Sequence, residues 1–179
     1  MYDDYKQMTL EGLTRGTELK DAFILLFREK DGTRVLPVLI DEDEFQAILH
    51  AAKENDYTRS RLMNRLANRL GMPMRGIRVT LPANGHASAL IDFDRNGELV
   101  SIQTSVAEAV VSALEAKAPM WLPAEEVSRR LNSLAGDGMM RVPVTAMSNE
   151  LLQAALRSAV EDDNFELATV LRDELRKRN

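Results

Sequence analysis

The chain has 179 residues, enough for one principal domain and an appendage, and its hydrophobic content of 45% supports a sizeable core. It has no cysteine, which excludes disulfides and thiolate-bound metals, and its two histidines, His50 and His86, are too few for a histidine-rich zinc site. A net charge of −5 argues against a generally basic nucleic-acid binder, and with no apolar leader or membrane-length apolar run a soluble cytoplasmic protein is expected.

Residues 5–14 alternate weakly and read as a strand. Residues 22–28 form a continuous apolar run, and Asp31-Gly32 marks a hairpin turn into a second run at 35–40. Residues 41–54 read as a helix capped by Asp41, with Glu44 at its third position and Phe45, Ile48, Leu49 and Ala52 on its core face. A second helix spans 58–70 and stops at Gly71, with Pro73 just beyond. Strands at 77–81, 87–93 and 99–104 form a meander with turns at Asn84-Gly85 and Asn96-Gly97. A third helix covers 105–116, a short extended piece 119–122, and a fourth helix follows Pro123 to about residue 131. Residues 133–147, containing Gly136, Gly138 and Pro143, read as a linker between a body at 1–132 and an appendage at 148–179. Together these elements predict an α+β fold: a mixed sheet with hairpins and a meander packed against helices, plus a C-terminal two-helix hairpin.

Charge is segregated along the chain. From 50 to 80 stand Lys53, Arg59, Arg61, Arg65, Arg69, Arg75 and Arg78 against only Glu54 and Asp56. Arg61, Arg65 and Arg69 share one face of the second helix, and with Arg59 they form a stripe that can hold phosphates, with Asn64 and Asn68 as neutral donors beside it. A solvated basic face is the alternative. Asp41-Glu42-Asp43-Glu44 offers oxygen ligands for Mg²⁺ or Mn²⁺, and equally a helix start that suits the dipole. Glu108, in the first turn of the third helix, carries the same two readings. Trp121, Met139, Met140 and Met147, near the linker, suit a partner surface or a flap over the core, and His86 reads as a surface residue.

Residues 148–179 carry two amphipathic stripes, Leu152, Ala155, Leu156 and Ala159, then Phe165, Ala168, Leu171 and Leu175. Between them lies the acidic turn Glu161-Asp162-Asp163-Asn164, where Asp163 and Glu166 suit a capping box. Arg172, Arg176, Lys177 and Arg178 crowd the C-terminal end. The words "AVEDDNFELATVLRDEL" resemble the UVR motif, a helical hairpin of nucleotide-excision-repair proteins. The resemblance implies an interaction module that pairs with another copy of itself, and hence a homo-oligomer or a protein partner held by Phe165, Ala168, Leu171 and Leu175. Phe165, the hairpin's only aromatic residue, is the expected anchor. A plain hairpin docked on its own domain is the alternative.

The segment "DGTRVLPVLIDEDEFQAILHA" contains Leu36-Pro37-Val38-Leu39-Ile40, Glu44 and Ala47-Ile48, and the chain continues through Leu70-Gly71 to Ala118-Pro119-Met120. Over residues 5–130 it resembles the bifunctional nuclease family. That resemblance implies action on DNA and RNA, with Glu44 and Glu108 as catalytic carboxylates, Arg59, Arg61, Arg65 and Arg69 on the phosphates, and Mg²⁺ or Mn²⁺ as conceivable cofactors, although no residue is assigned as a metal ligand. The chain also departs from the family. Asp56-Tyr57 and Arg59-Ser60-Arg61 stand where the family has Arg-Pro and then Thr-His-Asp, and Ser105-Val106-Ala107-Glu108-Ala109 stands for Arg-Pro-Ser-Asp-Ala. A non-catalytic, dimeric adapter protein is therefore the second expectation.

Overall fold

The computed structural model describes residues 2–15, 22–32, 34–81, 87–133, 149–161 and 163–178. Strands β1 (Tyr5–Arg15), β2 (Phe23–Glu29) and β3 (Val35–Ile40) form one antiparallel meander, and β4 (Met74–Thr80), β5 (Ser88–Arg95) and β6 (Glu98–Thr104) form another. The short strand β7 (Met120–Pro123) runs antiparallel to β1 and parallel to β4 and unites them in a single sheet, β3-β2-β1-β7-β4-β5-β6. The sheet is mixed and the class is α+β, as expected. Gly76 makes the β4–β7 junction possible: a Cβ there would lie 2.7 Å from the Pro119 carbonyl oxygen.

The helices are α1 (Glu42–Glu54), α2 (Thr58–Arg69), α3 (Val106–Ala116), α4 (Ala124–Ser133), α5 (Asn149–Glu161) and α6 (Phe165–Arg178). Local chemistry sets their starts. Asp41 caps α1, its Oδ1 accepting from the Glu44 amide at 2.7 Å, and Ser105 caps α3, its Oγ accepting from the Glu108 amide at 3.1 Å. At the β5–β6 turn Asn96 and Gly97 both take positive φ, 54° and 88°, as a tight hairpin requires. Helices α1, α2 and α3 cover one face of the sheet, where Phe45 and Ile48 of α1 and Val106 and Val110 of α3 meet Leu25, Val38, Ile77 and Ile91. On α1 Phe45, Ile48 and Leu49 face the core as expected, and Ala51, three residues beyond Ile48, takes the place expected for Ala52, which is exposed. The expected turn at Asn84-Gly85, His86, residues 134–147 of the expected linker, and Met139, Met140 and Met147 lie outside the described residues, and Ser133 belongs to α4.

The opposite face carries a buried polar cluster. Asp92, with no exposed side-chain surface, accepts from Arg78 Nε at 2.7 Å, Arg78 Nη2 at 2.8 Å, Ser101 Oγ at 2.6 Å and the Tyr2 hydroxyl at 3.1 Å. Burial by itself would push the Asp92 carboxyl up, but the hydrogen bonds from Arg78 and Ser101, with the Arg78 charge, outweigh it and hold the group below its usual 3.8. Burial and the neighbouring Asp92 charge push the Tyr2 phenol up to about 12. Tyr2 in turn stacks flat on Trp121 of β7, ring centroids 4.7 Å apart. Trp121 is therefore part of the sheet and its cover.

Helices α5 and α6 pack through Leu152, Ala155, Ala159, Ala168 and Leu171, with Leu39 of β3 against the same cluster. Leu39 alternates with Val38 and Ile40, both in the main core, so the hairpin meets the face opposite to α1–α3. Two expectations change here. Asn164, not Asp163, caps α6, its Oδ1 accepting from the Leu167 amide at 3.2 Å, and Asp163 takes a left-handed φ of 55° in the turn. Phe165 is 66% exposed and belongs to neither core cluster among the described residues. Side chains lean toward a helix's N-terminus, so a ring at the first position overhangs the turn instead of entering the seam.

Candidate nucleic-acid cleft

A cleft of about 540 Å³ opens between the α1–α2 turn, the first turns of α2 and α3, and the sheet at β5 and β6. Its floor is apolar, with Ile91, Phe93, Met63 and Val111, and its polar lining includes His50, Asp56, Arg59, Thr104 and Glu108. That volume and that division of polarity suit a nucleotide-sized ligand. Asp56 organises the entry to α2: its Oδ1 accepts from the Thr58 amide at 3.0 Å and from Thr58 Oγ1 at 2.6 Å, bonds that hold its carboxyl below the usual carboxylate range. His50 Nε2 lies 3.8 Å from Asp56 Oδ2. Arg59 is exposed in the first turn of α2 and forms no ion pair among the described residues. Glu108 is exposed in the first turn of α3, where its carboxylate accepts from Thr104 Oγ1.

Glu44 stands elsewhere. Its Oε1 accepts from the Val106 amide at 2.8 Å and the Ala107 amide at 3.3 Å, so α1 reaches across to satisfy free N–H groups at the start of α3. Burial pushes its carboxyl up, Asp41 adds to the shift, and the amide bonds only partly counter it. Ser105 and Glu44 together fix the turn that presents Glu108. Among the described residues no three His, Asp or Glu side chains gather closely enough to hold a metal ion. The donor set of the described residues does not fit a carboxylate-bound Mg²⁺ or Mn²⁺.

Arg61, Arg65 and Arg69 are exposed along α2, as their spacing requires, but they line neighbouring shallow grooves and not the cleft. Arg61 Nε lies 3.6 Å from Glu115 of α3. Asn64, expected beside the stripe as a phosphate donor, is buried and donates to the Ser112 carbonyl at 3.4 Å and to the Glu115 carboxylate, tying α2 to α3. Arg75 and Arg78 pair with Asp94 and Asp92 on β5 and leave the basic patch. The structure thus brings Arg59 and Glu108 to one cleft, places Glu44 on the α3 amides, and runs the arginine stripe along the flank. Sequence reasoning missed His50 and Asp56 as cleft residues. Asn55-Asp56, with Asn55 left-handed at φ 51°, marks a corner, but nothing local says which way that corner faces.

In the hairpin, Ala168 and Leu171 are buried in its own seam and Leu175 is half-buried against it, which leaves Phe165 as the outward member of that group. Among the described residues no helix is long and apolar enough to cross a membrane. No curated protein matches the chain. The family model of the bifunctional nuclease domain matches residues 25–134, a span that runs from β2 through the end of α4 and contains every residue of the cleft. By that match the chain belongs to the bifunctional nuclease domain family.

Proposed function

We propose that the chain hydrolyses phosphodiester bonds in DNA or RNA at the cleft between the first turns of α2 and α3. The observation that supports this most is the convergence of Arg59, which forms no ion pair among the described residues, and an exposed carboxylate, Glu108, on a nucleotide-sized cleft inside the matched domain. Arg59 neutralises and orients the scissile phosphate. Glu108 accepts a proton from the attacking water as the new P–O bond forms, and His50 returns a proton to the leaving oxygen as the old one breaks. Glu44 acts as a positioning residue, holding the α3 turn through the Val106 and Ala107 amides. Arg61, Arg65 and Arg69 receive the strand outside the cleft, where phosphate contacts set position and not sequence preference.

Cleavage of labelled single-stranded DNA and RNA tests the reading. Glu108→Gln should lower kcat by about 10²–10⁴-fold, the usual contribution of a general base, with binding largely kept. Unaltered cleavage by that variant, or no cleavage by the wild type, would overturn it. The second reading, a non-catalytic adapter, draws support from the replaced polar positions at Arg59-Ser60-Arg61 and predicts binding without cleavage. In either case we propose that the α5–α6 hairpin, which resembles the UVR motif, is a protein-interaction module, a reading supported by the outward Val160 and Phe165.

A further inference from the structure

Helix α2 shows two adjacent outer stripes. Leu62, Leu66 and Leu70 recur every fourth residue and each is more than half exposed. Arg61, Arg65 and Arg69 precede them one by one, and Arg65 and Arg69 form no ion pair among the described residues. The helix contains no acidic residue at all. An apolar stripe edged by cations on a half-turn of helix is an unpartnered face, and its charge specifies what can cover it. A second α2 is a poorer fit, because antiparallel pairing would bring the arginines against their own copies.

The complementary surface is at the other end of the chain. The tip of the α5–α6 hairpin exposes Val160 and Phe165 on either side of its turn, edged by the exposed carboxylates of Glu161, Asp163 and Glu166. None of these acids pairs with a cation among the described residues. One surface is apolar with a cationic edge and the other apolar with an anionic edge. They cannot meet within one chain. The hairpin sits at Leu39 on β3, an edge strand, on the face opposite to α1–α3, whereas α2 packs on α3 and β4 in the other half of the sheet.

We infer that the acidic tip of the hairpin of one copy docks on the leucine-and-arginine face of α2 of a second copy. Phe165 and Val160 cover Leu62, Leu66 and Leu70, while Glu161, Asp163 and Glu166 face Arg61, Arg65 and Arg69. Because the two patches differ and lie on opposite faces of the chain, the contact is head-to-tail, each copy offering one patch to each neighbour, so that a ring or a row of copies results. The arginines serve either the tip or a nucleic acid, so the two compete. This inference rests on the hairpin being an interaction module and names the surface it takes.

Sedimentation of the full chain across a concentration series provides the test. The wild type should sediment above 20.1 kDa at micromolar concentration, as multiples of that mass, and dissociate more readily as salt rises. Arg65→Glu and Glu166→Arg should each raise the dissociation constant at least about tenfold, because each sets like charges face to face. An equimolar mixture of these two variants should recover the wild-type constant, since one contact then carries the original pair and the other the reversed pair. Leu66→Gln and Phe165→Ala, also at exposed positions, should weaken the association with helix content unchanged. A monomeric wild type, or a mixture that fails to recover, overturns the inference. If Phe165→Ala and Glu166→Arg weaken association while Arg65→Glu does not, the hairpin pairs with another surface: the inference falls and the interaction-module reading stands. If association ignores all of them, both fall.

Discussion

Asp92→Asn removes one charge from the centre of the sheet and should be the most damaging conservative change in the body. The carboxylate accepts four hydrogen bonds, two of them from an Arg78 guanidinium whose side chain is only 19% exposed. An amide in its place turns one acceptor into a donor aimed at a guanidinium that cannot lose its charge. Breaking a buried pair from one side costs about 3–5 kcal/mol, because the remaining ion stays desolvated. For a chain of this size each kcal/mol lowers Tm by about 2–4 °C, so the fall should be roughly 6–20 °C. Thermal unfolding followed by circular dichroism measures it, and the double change Arg78→Met with Asp92→Leu should recover most of the loss by removing both charges. The pH dependence carries a further signature. Because Asp92 is held below 3.8, its stabilisation is complete above that value and is lost as pH falls through the depressed one, so wild type and Asp92→Asn should converge in strong acid. A loss below about 1 kcal/mol, or a double variant no better than the single one, would refute the account.

Glu44→Gln should act in the opposite sense. Burial raises the Glu44 carboxyl above 4.5, so its contribution is full below that value and fades as pH climbs through the raised one; urea midpoints from about pH 4 to about pH 7 should fall for wild type relative to the variant. Leu171→Ala, at a fully buried seam position, should cost the hairpin about 2–5 kcal/mol, visible as faster amide exchange in α5 and α6 with the sheet protected, and equal loss of protection throughout would contradict a separate seam. Any nucleic-acid binding should lose about 0.9 in its log–log salt slope on duplex DNA, or about 0.7 on single strands, for each of Arg61, Arg65 and Arg69 changed to Ala that had touched a phosphate. Unchanged slopes in the triple variant would remove the stripe from the binding surface.

What could be read in advance was what neighbours in sequence decide. The cap at Asp41, the Asn96-Gly97 turn and the end of α2 near Gly71 each follow from a few adjacent residues. Glu44 defeats such reading because the amides it accepts from lie 62 and 63 residues away, so an acidic first turn and a cross-helix bond look alike in sequence. Asp92 was hidden in the same way: alternation marks its strand, but the burial of its outer face needs Tyr2, 90 residues earlier. Phe165 misled for a different reason. Its spacing continues the stripe of Ala168 and Leu171, yet a stripe states only a direction around the helix, and the tilt of the first turn carries the ring past the end of its neighbour.

The sheet order has a consequence for how the molecule assembles. Each meander pairs strands close in sequence, whereas β7 ties Tyr5 to Pro123 and Ile77 to Met120 across long stretches of chain. Loop closure must be met before such contacts contribute, so the two meanders can form early and the four-residue strand joins them late. During synthesis the N-terminal meander therefore waits, with the β7 side of β1 unpaired, until the chain has grown past Pro123. That edge is where misassembly between two unfinished chains would begin.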